Sequence, residues 1–395
     1  MINFEENQVQ MAPTRSFLAS SINQRTFHQE GIARNRANKI HKLIREDPCS
    51  TSKVLRLLFS NQPICSLALR KSGTLHLACE KGLTDVVKAL LKFKGLIYSR
   101  FLLGFNTPLH IASENGHYDI VQLLLGKLRN SDVNIKNKND ELPIHLASRN
   151  GHAKVVKLLI QHGAHVNARD NNFSSPLQIA SRIGSLFIVQ DLLKNGADPD
   201  SKNMVSNTPL IDAAFNDHLD VVKELLEFGA DVSKRNSQKR TAMYYAIFNL
   251  NTSVVKMLLE FGSDPNEAVD SNGTTALHFI SRVPYCPSIE NYINHKQIVS
   301  DLLLNGCDLN VRDFNSNTPL HIYVMYHRNH VKIPILENIL VKHEEINFQI
   351  RNNDGYTTLD LAIKYCSIDV VRLLSVKSCP KPNISHSMYP LKYFM

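Results

Sequence analysis

The sequence predicts an all-α fold made of stacked helix-turn-helix units, and three observations support this. The segment from Asn106 to Leu125 returns at 141–160 and in further copies, spaced 33 to 35 residues apart in the centre of the chain. Each copy holds two apolar stretches at helical spacing. Turn residues separate the copies at fixed positions. Because one unit of this size cannot bury its apolar face alone, the copies are expected to stack as a solenoid.

The first helix begins at a Thr-Pro or Ser-Pro pair in several units, as at Thr107, Ser175, Thr208 and Thr318. The Thr107 hydroxyl can cap the helix, and Pro108 suits the first helical position because its φ is already helical. A glycine such as Gly116 ends this helix four residues after a small residue. That small position is occupied along the chain by Ala78, Ala112, Ala147, Ala180, Ala213, Ala246, Ile280, Tyr323 and Ala362.

The second helix carries paired apolar residues, such as Val155-Val156 and Leu158-Leu159. These pairs form a stripe wide enough to face two neighbouring units. A Gly-Ala pair then turns the chain into a polar finger, for example from Asn167 to Ser174.

A period near 33 residues that carries Thr-Pro-Leu-His-x-Ala resembles the ankyrin repeat. The resemblance covers residues 72–376 in nine copies, preceded by a degenerate capping repeat. It implies an ankyrin-repeat solenoid of helix-turn-helix units with short β-hairpin-like fingers. It also implies a non-enzymatic scaffold or adaptor that binds a protein partner through a concave groove and the fingers.

Four segments are expected along the chain. Residues 1–31 are polar and lack periodicity, which predicts a disordered tail. Residues 32–71 predict a basic helical capping repeat with Arg36 on its exposed basic face. Residues 72–376 form the repeats, with an insertion at 283–297 that is expected to be a loop in the seventh copy. Residues 377–395 predict a short C-terminal tail.

The net charge of +9 lies at the two ends of the chain. Residues 1–70 hold ten basic and five acidic side chains, and residues 375–395 hold three basic and no acidic ones. The rest holds 32 basic and 31 acidic side chains. The repeats are therefore close to neutral, and nucleic acid is not an expected ligand.

Other function classes find no support in the sequence. No secretory leader and no apolar run of membrane-spanning length is recognised. The seven cysteines are widely spaced, so reduced thiols and a cytoplasmic or nuclear location are expected. Catalytic and phosphate-binding motifs are missing, so no enzyme activity, cofactor, metal or small-molecule substrate is expected.

Histidine recurs at one position of the repeat. A residue that returns in each unit is expected to make the same local bond in each, here from the start of the first helix to the backbone of the neighbouring finger. The residues are His76, His110, His145, His278 and His321.

Two positions after the small residue, a row of side chains is expected to face the groove. The row reads Glu80, Glu114, Arg149, Arg182, Phe215, Phe248, Arg282, Met325 and Lys364. Two phenylalanines flanked by arginines have the composition of a binding hot spot. The alternative is that these rings pack as local core. The candidate partner-binding residues are Arg149, Arg182, Ile183, Phe215, Phe248, Arg282 and Met325.

The fingers carry a second, basic row. Its members are Lys136, Arg169, Lys202, Arg235, Arg312 and Arg351. In the family pattern an acid follows this base, but here Asn occupies positions 137, 203, 236 and 352. This predicts a positive finger edge and an acidic protein partner.

Two further expectations follow from the resemblance. Asparaginyl hydroxylases modify an Asn at the start of a finger in this family, and Asn310, after Asp308 and Leu309, fits that context. The alternative function is a substrate receptor of a cullin-type ubiquitin ligase. The tail with Pro380 and Leu391 matches the recruitment box of such receptors poorly.

Overall fold

The computed structural model describes residues 15–47, 51–60, 66–100, 105–283, 289–326, 336–337, 339–366 and 368–378. Its α-helices with defined bounds are α1 (Arg15–Glu46), α2 (Thr51–Phe59), α3 (Ser66–Lys71), α4 (Thr74–Glu80), α5 (Thr84–Leu90), α6 (Pro108–Glu114), α7 (Tyr118–Leu125), α8 (Pro143–Arg149), α9 (Ala153–Gln161), α10 (Pro176–Ile183), α11 (Leu186–Lys194), α12 (Pro209–Phe215), α13 (Leu219–Glu227), α14 (Ala242–Phe248), α15 (Thr252–Glu260), α16 (Ala276–Arg282), α17 (Ile289–Leu304), α18 (Pro319–Tyr326), α19 (Thr358–Tyr365) and α20 (Ile368–Ser378).

The predicted all-α fold with paired short helices is confirmed. Two 3-10 turns, Asn130–Asn134 and Leu340–Glu345, supplement the α-helices. Within the described ranges there is no strand, and a single antiparallel bridge joins Ala268 to Thr275. The fingers are therefore turns closed by hydrogen bonds. No described helix combines the length and the apolar character that crossing a bilayer requires.

The chain divides into two compact units. The first comprises Met1–Ile179 and Lys194–Ala197, and the second comprises Ala180–Leu193 and Asp198–Met395. In the first unit, α1, α4, α6 and α8 pack on one another in order as one layer. The helices α2, α5, α7 and α9 form the other layer, with α2 on α5, α5 on α7 and α7 on α9.

The second unit repeats this arrangement. Here α12, α14, α16, α18 and α19 pack in sequence as the first layer, and α13, α15 and α17 pack in sequence as the second. The small position of the repeat is buried in every copy. At Tyr323, which is 1% exposed, a large ring occupies this position.

The predicted starts of the first helices are confirmed. Thr107, Thr208, Thr241 and Thr357 each accept a hydrogen bond from the backbone N–H three residues later, at 3.2–3.4 Å. Proline occupies the first helical turn of α6, α8 and α12. A threonine cap, a proline in the first turn, or both therefore mark where these helices begin.

Helix α1 begins at Arg15, so residues 15–31 are helical and do not belong to the disordered tail that the sequence predicted. No proline or glycine stands between Arg15 and Glu30. A helix anchored further along can extend through such a segment, because elongation costs far less than nucleation. Residues 1–14 lie outside the described part of the chain.

Arg36 does not lie on an exposed basic face, as the sequence suggested. It is 5% exposed, and its guanidinium donates to the carbonyl of Leu57 and to Ser60 at the end of α2. The last carbonyls of a helix lack partners within the helix and attract a cation. Arg36 therefore fastens α1 to the C-terminus of α2.

The insertion at 283–297 is not entirely a loop. Residues 289–297 are the first part of α17, so the insertion lengthens the second helix of this unit. Nε2 of His295 donates to the carbonyl of Ile280 at 3.0 Å and ties the extension to α16. Residues 284–288, and the C-terminal segment 379–395 that contains Pro380, Pro382 and Leu391, lie outside the described residues.

Candidate partner-binding surface

The repeated histidines have the structural role that the sequence predicted. Nδ1 of His110 accepts from the Thr107 N–H at 3.2 Å and contacts its hydroxyl at 2.8 Å, while Nε2 donates to the Glu141 carbonyl in the next finger at 3.1 Å. Nε2 of His145, His278 and His321 likewise donates to a carbonyl of the following finger, that of Ala168, Asn317 and Tyr356 respectively. Burial lowers the pKa of His110 to about 4, so its imidazole is neutral and carries no surface charge.

Each finger closes around an Asp or an Asn. The Oδ1 atom of Asn236 accepts from the N–H groups of Gln238 and Arg240 at 3.0 Å, and Oδ1 of Asp170 accepts the equivalent pair at 2.8 and 2.9 Å. The same closure occurs at Asn137, Asn203, Asp270, Asp313 and Asn352. Because both residue types supply Oδ1, replacing the acid by Asn conserves the turn.

The amide of a finger Asn has a second use. Nδ2 of Asn236 donates to Oδ1 of Asn207 at 3.0 Å, and Nδ2 of Asn352 donates to Oδ1 of Asn317 at 3.1 Å. These bonds link adjacent fingers. The asparagines that suggested a positive finger edge therefore have a structural reason of their own.

The predicted binding row lies at the C-terminal ends of the first helices. In the second unit, Arg182 and Ile183 end α10, and Met325 is next to last in α18. Phe215, Phe248 and Arg282 are the last residues of α12, α14 and α16. In the first unit, Arg149 ends α8. Equivalent positions in the repeat thus become equivalent positions on the helices.

Hydrogen bonds fasten these helix ends to one another in the second unit. Nε2 of His218 donates to the carbonyl of Arg182 at 3.1 Å, and Nδ2 of Asn249 donates to the carbonyl of Phe215 at 2.9 Å. The side chains of Phe215 and Phe248 are 51% and 59% exposed. Two half-exposed rings therefore stand at the ends of consecutive first helices, which the Asn249 side chain links.

Phe215 also has a local contact. Its ring meets the edge of Tyr245 with centroids 5.2 Å apart and planes at 88°. The Tyr245 hydroxyl accepts from Nδ2 of Asn236 at 3.1 Å, which fixes that ring. The contact orients Phe215 and leaves half of its surface to solvent.

Sequence reasoning missed Asp212, which lies one helical turn before Phe215. It is 5% exposed; Oδ1 accepts from Nδ2 of Asn207 at 2.7 Å, and Oδ2 has no hydrogen-bond partner. Burial raises the pKa of Asp212 to about 6, although the hydrogen bond from Asn207 and the positive charge of Arg182 both act to lower it. Asp212 stands one residue before the small residue of its repeat, a position that is apolar in other copies, as at Ile111 and Leu146. An acid at this position was the signal in the sequence that could have identified Asp212.

Arg149 is engaged within its own unit. Its guanidinium lies 2.5 Å from the Glu141 carboxylate and 3.8 Å from that of Asp170. Both acids are buried. The charge of Arg149 is therefore neutralised by its own finger and the next one.

Arg282 has a different environment. The rings of Tyr244 and Phe279 stack with centroids 4.3 Å apart, Arg240 lies 4.5 Å over Tyr244, and Arg282 lies 5.2 Å over Phe279. Arg240 and Arg282 line an open pocket of about 560 Å³. Arg282 also borders a smaller pocket of about 200 Å³ that includes Met325. Arg240 was not singled out from the sequence, because it stands outside the predicted row.

Asn310 uses both ends of its side-chain amide. Nδ2 donates to the carbonyl of Glu345 at 2.8 Å, and Oδ1 accepts from the Asn347 N–H at 2.7 Å. Asn134 makes the same pair of bonds in the first unit, to Gly163 and His165. These residues link the start of one finger to the next repeat.

Comparisons with known proteins agree with this architecture. A family model described as "Ankyrin repeats (3 copies)" matches residues 44–137, 109–203, 210–283 and 289–385. No curated protein matches the sequence significantly. Among solved structures, the chain is similar to the ankyrin repeat domain of Bcl-3, described as a unique member of the IkappaB protein family.

The similarity to the Bcl-3 domain covers 60% of this chain and 98% of that chain, with 26% sequence identity and a TM-score of 0.51. Ankyrin repeats are protein–protein interaction modules, typically without catalytic activity. Since the family model matches most of its length, this chain belongs to the ankyrin repeat family.

Proposed function

We propose that this protein is a non-enzymatic scaffold or adaptor that binds a protein partner through the ends of its first helices. The anchors are Phe215 and Phe248, with Arg182 and Ile183 beside them. The observation that carries the proposal is the pair of half-exposed rings on consecutive helix ends that are hydrogen-bonded together.

The physical argument concerns preorganisation. A binding surface gains most from large rings that are already held in place, because little conformational entropy is lost when the partner arrives. The edge contact with Tyr245 supplies this order for Phe215. The exposed half of each ring is then available to a partner, and burying aromatic surface at the centre of an interface is typical of hot spots.

Arg149 is a weaker candidate within this proposal than Arg182, because two buried carboxylates already neutralise it. Met325 and Arg282 extend the same row in the second unit. We propose a protein as the ligand in preference to nucleic acid, since the repeats are nearly neutral. A nucleic-acid ligand would show an affinity that falls steeply as salt rises.

The test uses the full chain with Phe215→Ala and Phe248→Ala combined. Partners captured from cells by the wild-type protein are identified by mass spectrometry, and the affinity of each is then measured with purified components. The double variant should keep its thermal midpoint and lose about a hundredfold or more in affinity, since hot-spot truncations each cost about 2 kcal/mol.

A matched control is Phe187→Ala combined with Phe261→Ala, which removes two exposed rings outside the row. This control should bind as the wild type does. A folded Phe215/Phe248 variant with undiminished affinity would reject the proposal. A large fall in its thermal midpoint would instead support the role of these rings as local core.

A further inference from the structure

In the second unit, two arginines stand on either side of a stacked pair of rings. Each ring of the Tyr244–Phe279 pair has the other ring on one face, and the guanidinium of Arg240 or Arg282 lies over it at 4.5 or 5.2 Å. Both rings are buried, at 6% and 4% exposure. Stacking on a ring restricts the guanidinium while leaving its N–H groups available to donate.

The pocket beside this stack carries a positive charge. Lys239, Arg240 and Arg282 line it together with one acid, Asp270. Oδ1 of Asp270 already accepts from two backbone N–H groups of its own finger, at 2.8 and 3.3 Å. Hydroxyl and amide donors complete the lining at Ser237, Gln238, Ser271 and Asn272.

The repeat provides an internal comparison for Arg282. Arg149 has the same position in its unit and is neutralised by Glu141, which stands eight residues earlier. Eight residues before Arg282 stands Thr274, which has no charge. Among the ion pairs of the described residues, none involves Lys239, Arg240 or Arg282.

We propose that this pocket binds an acidic segment of the protein partner, with carboxylates of Asp or Glu side chains on Arg240 and Arg282. A stacked ring pair separates the two guanidiniums, which suits an extended segment with several carboxylates better than one compact anion. A planar guanidinium fork matches a carboxylate in geometry. The inference rests on the proposed protein-binding function, because it describes the chemistry of the same partner.

The test measures binding of labelled peptides to the full chain by fluorescence anisotropy, at about 0.1 M salt, where the Debye length is about 10 Å. The peptides are a glutamate-rich octapeptide and its copy with glutamine in place of every glutamate. The wild-type protein should bind the glutamate peptide at least tenfold more tightly. Arg240→Gln and Arg282→Gln should each weaken that binding by about tenfold, as expected for a charge-assisted hydrogen bond.

Three further variants sharpen the result. Arg372→Gln, at an exposed arginine of α20, removes the same charge elsewhere and should bind as the wild type does. Arg282→Lys should restore only part of the affinity, because lysine lacks the planar fork. Lys239→Gln removes a cation of the pocket that does not stack on the Tyr244–Phe279 pair, so this change leaves the ring packing intact. It should weaken binding of the glutamate peptide and tests the pocket even if the Arg240 variant unfolds.

Equal affinity for the two peptides would overturn the inference, and so would an equal loss in Arg372→Gln. Tighter binding of a phosphoserine peptide or of a single-stranded oligonucleotide, with the glutamate peptide unbound, would also overturn it by assigning the pocket to phosphate. The two proposals can fail separately. If the glutamate peptide binds selectively but the partner's affinity is unchanged in the Phe215/Phe248 variant, only the proposed binding through the ends of the first helices is rejected. If the Phe215/Phe248 variant loses partner binding but the wild type binds the glutamate and glutamine peptides equally, only the role proposed for the pocket is rejected.

Discussion

The imidazole of His152 lies directly against Gly116. A Cβ on Gly116 would come within 2.5 Å of Nδ1 of His152, and Nε2 of that ring donates to the carbonyl of Glu114 at 2.9 Å. The glycine therefore has two reasons to be there. Its φ of +72° ends the first helix, and its lack of a side chain admits the histidine of the next repeat.

Gly116→Ala should therefore destabilise the protein more than Gly151→Ala. Both glycines have nearly the same φ, +72° and +73°, but a Cβ on Gly151 would meet nothing within 4 Å. The difference isolates the clash with His152, which we expect to cost about 1–3 kcal/mol. Urea unfolding of the two variants measures it, and adding His152→Ser to Gly116→Ala should recover most of the loss. Equal midpoints for the two alanine variants would contradict this account.

Asp212→Asn should stabilise the protein at neutral pH. The pKa of Asp212 is raised to about 6 from 3.8, so the folded state binds the proton more tightly than the unfolded state does. Its contribution to stability is full below about pH 4 and is lost as pH rises through about 6. Asparagine carries no charge and keeps an oxygen to accept from Asn207.

The stabilisation by Asp212→Asn should reach about 1–3 kcal/mol above pH 6 and vanish below pH 4. Urea midpoints at pH 7.5 and 3.5 test this. Glu227→Gln, at an exposed acid of α13, serves as the control and should show no such pH dependence. A gain at neither pH would mean that the Asp212 carboxylate finds solvation in the folded state.

His110→Gln should make the protein less sensitive to acid. Burial lowers the pKa of His110 to about 4, so its contribution to stability is present above about pH 6.5 and lost as pH falls through about 4. The loss amounts to roughly 3 kcal/mol at most. Gln178 shows that glutamine suits this position, since its Oε1 accepts from the Ser175 N–H at 3.1 Å.

The variant should match the wild type within about 1 kcal/mol at pH 7.5, because the bond to the Thr107 N–H can be remade. Between pH 6.5 and 4 its urea midpoint should fall less than that of the wild type. His145, His278 and His321 also have a lowered pKa, so the fall should be reduced without disappearing. Identical slopes for the two proteins would show that His110 titrates normally.

Asn310 remains the proposed substrate of an asparaginyl hydroxylase. Its side-chain amide is held at both ends by the next repeat, so the enzyme must act on a locally opened finger. A peptide covering 302–310 should therefore be modified faster than the folded chain. Mass spectrometry after treatment with active hydroxylase tests both, and an unmodified Asn310 in peptide and protein alike would remove the proposal.

The sequence by itself determined the repeat and the local bonds within it. Thr107 and Pro108 start a helix through hydrogen bonds and backbone preferences that span only three residues. His110 makes the bond that histidines at this position make in other units, because the local backbone is the same in each unit. Such short-range patterns can be read directly from the order of residues. The predicted row at the ends of the first helices follows from the same periodicity.

Only the tertiary structure decided what each charged member of that row does. Arg149 and Arg282 share a repeat position, yet one is neutralised by buried carboxylates while the other lies over a ring at the edge of a pocket. The sequence hints at Asp212 by placing an acid in an otherwise apolar row, but only the packing of the repeats shows that it is buried. The physical reason is that the energy of a charge depends on its burial and on partners far away in the sequence, and these are defined only once the repeats have packed.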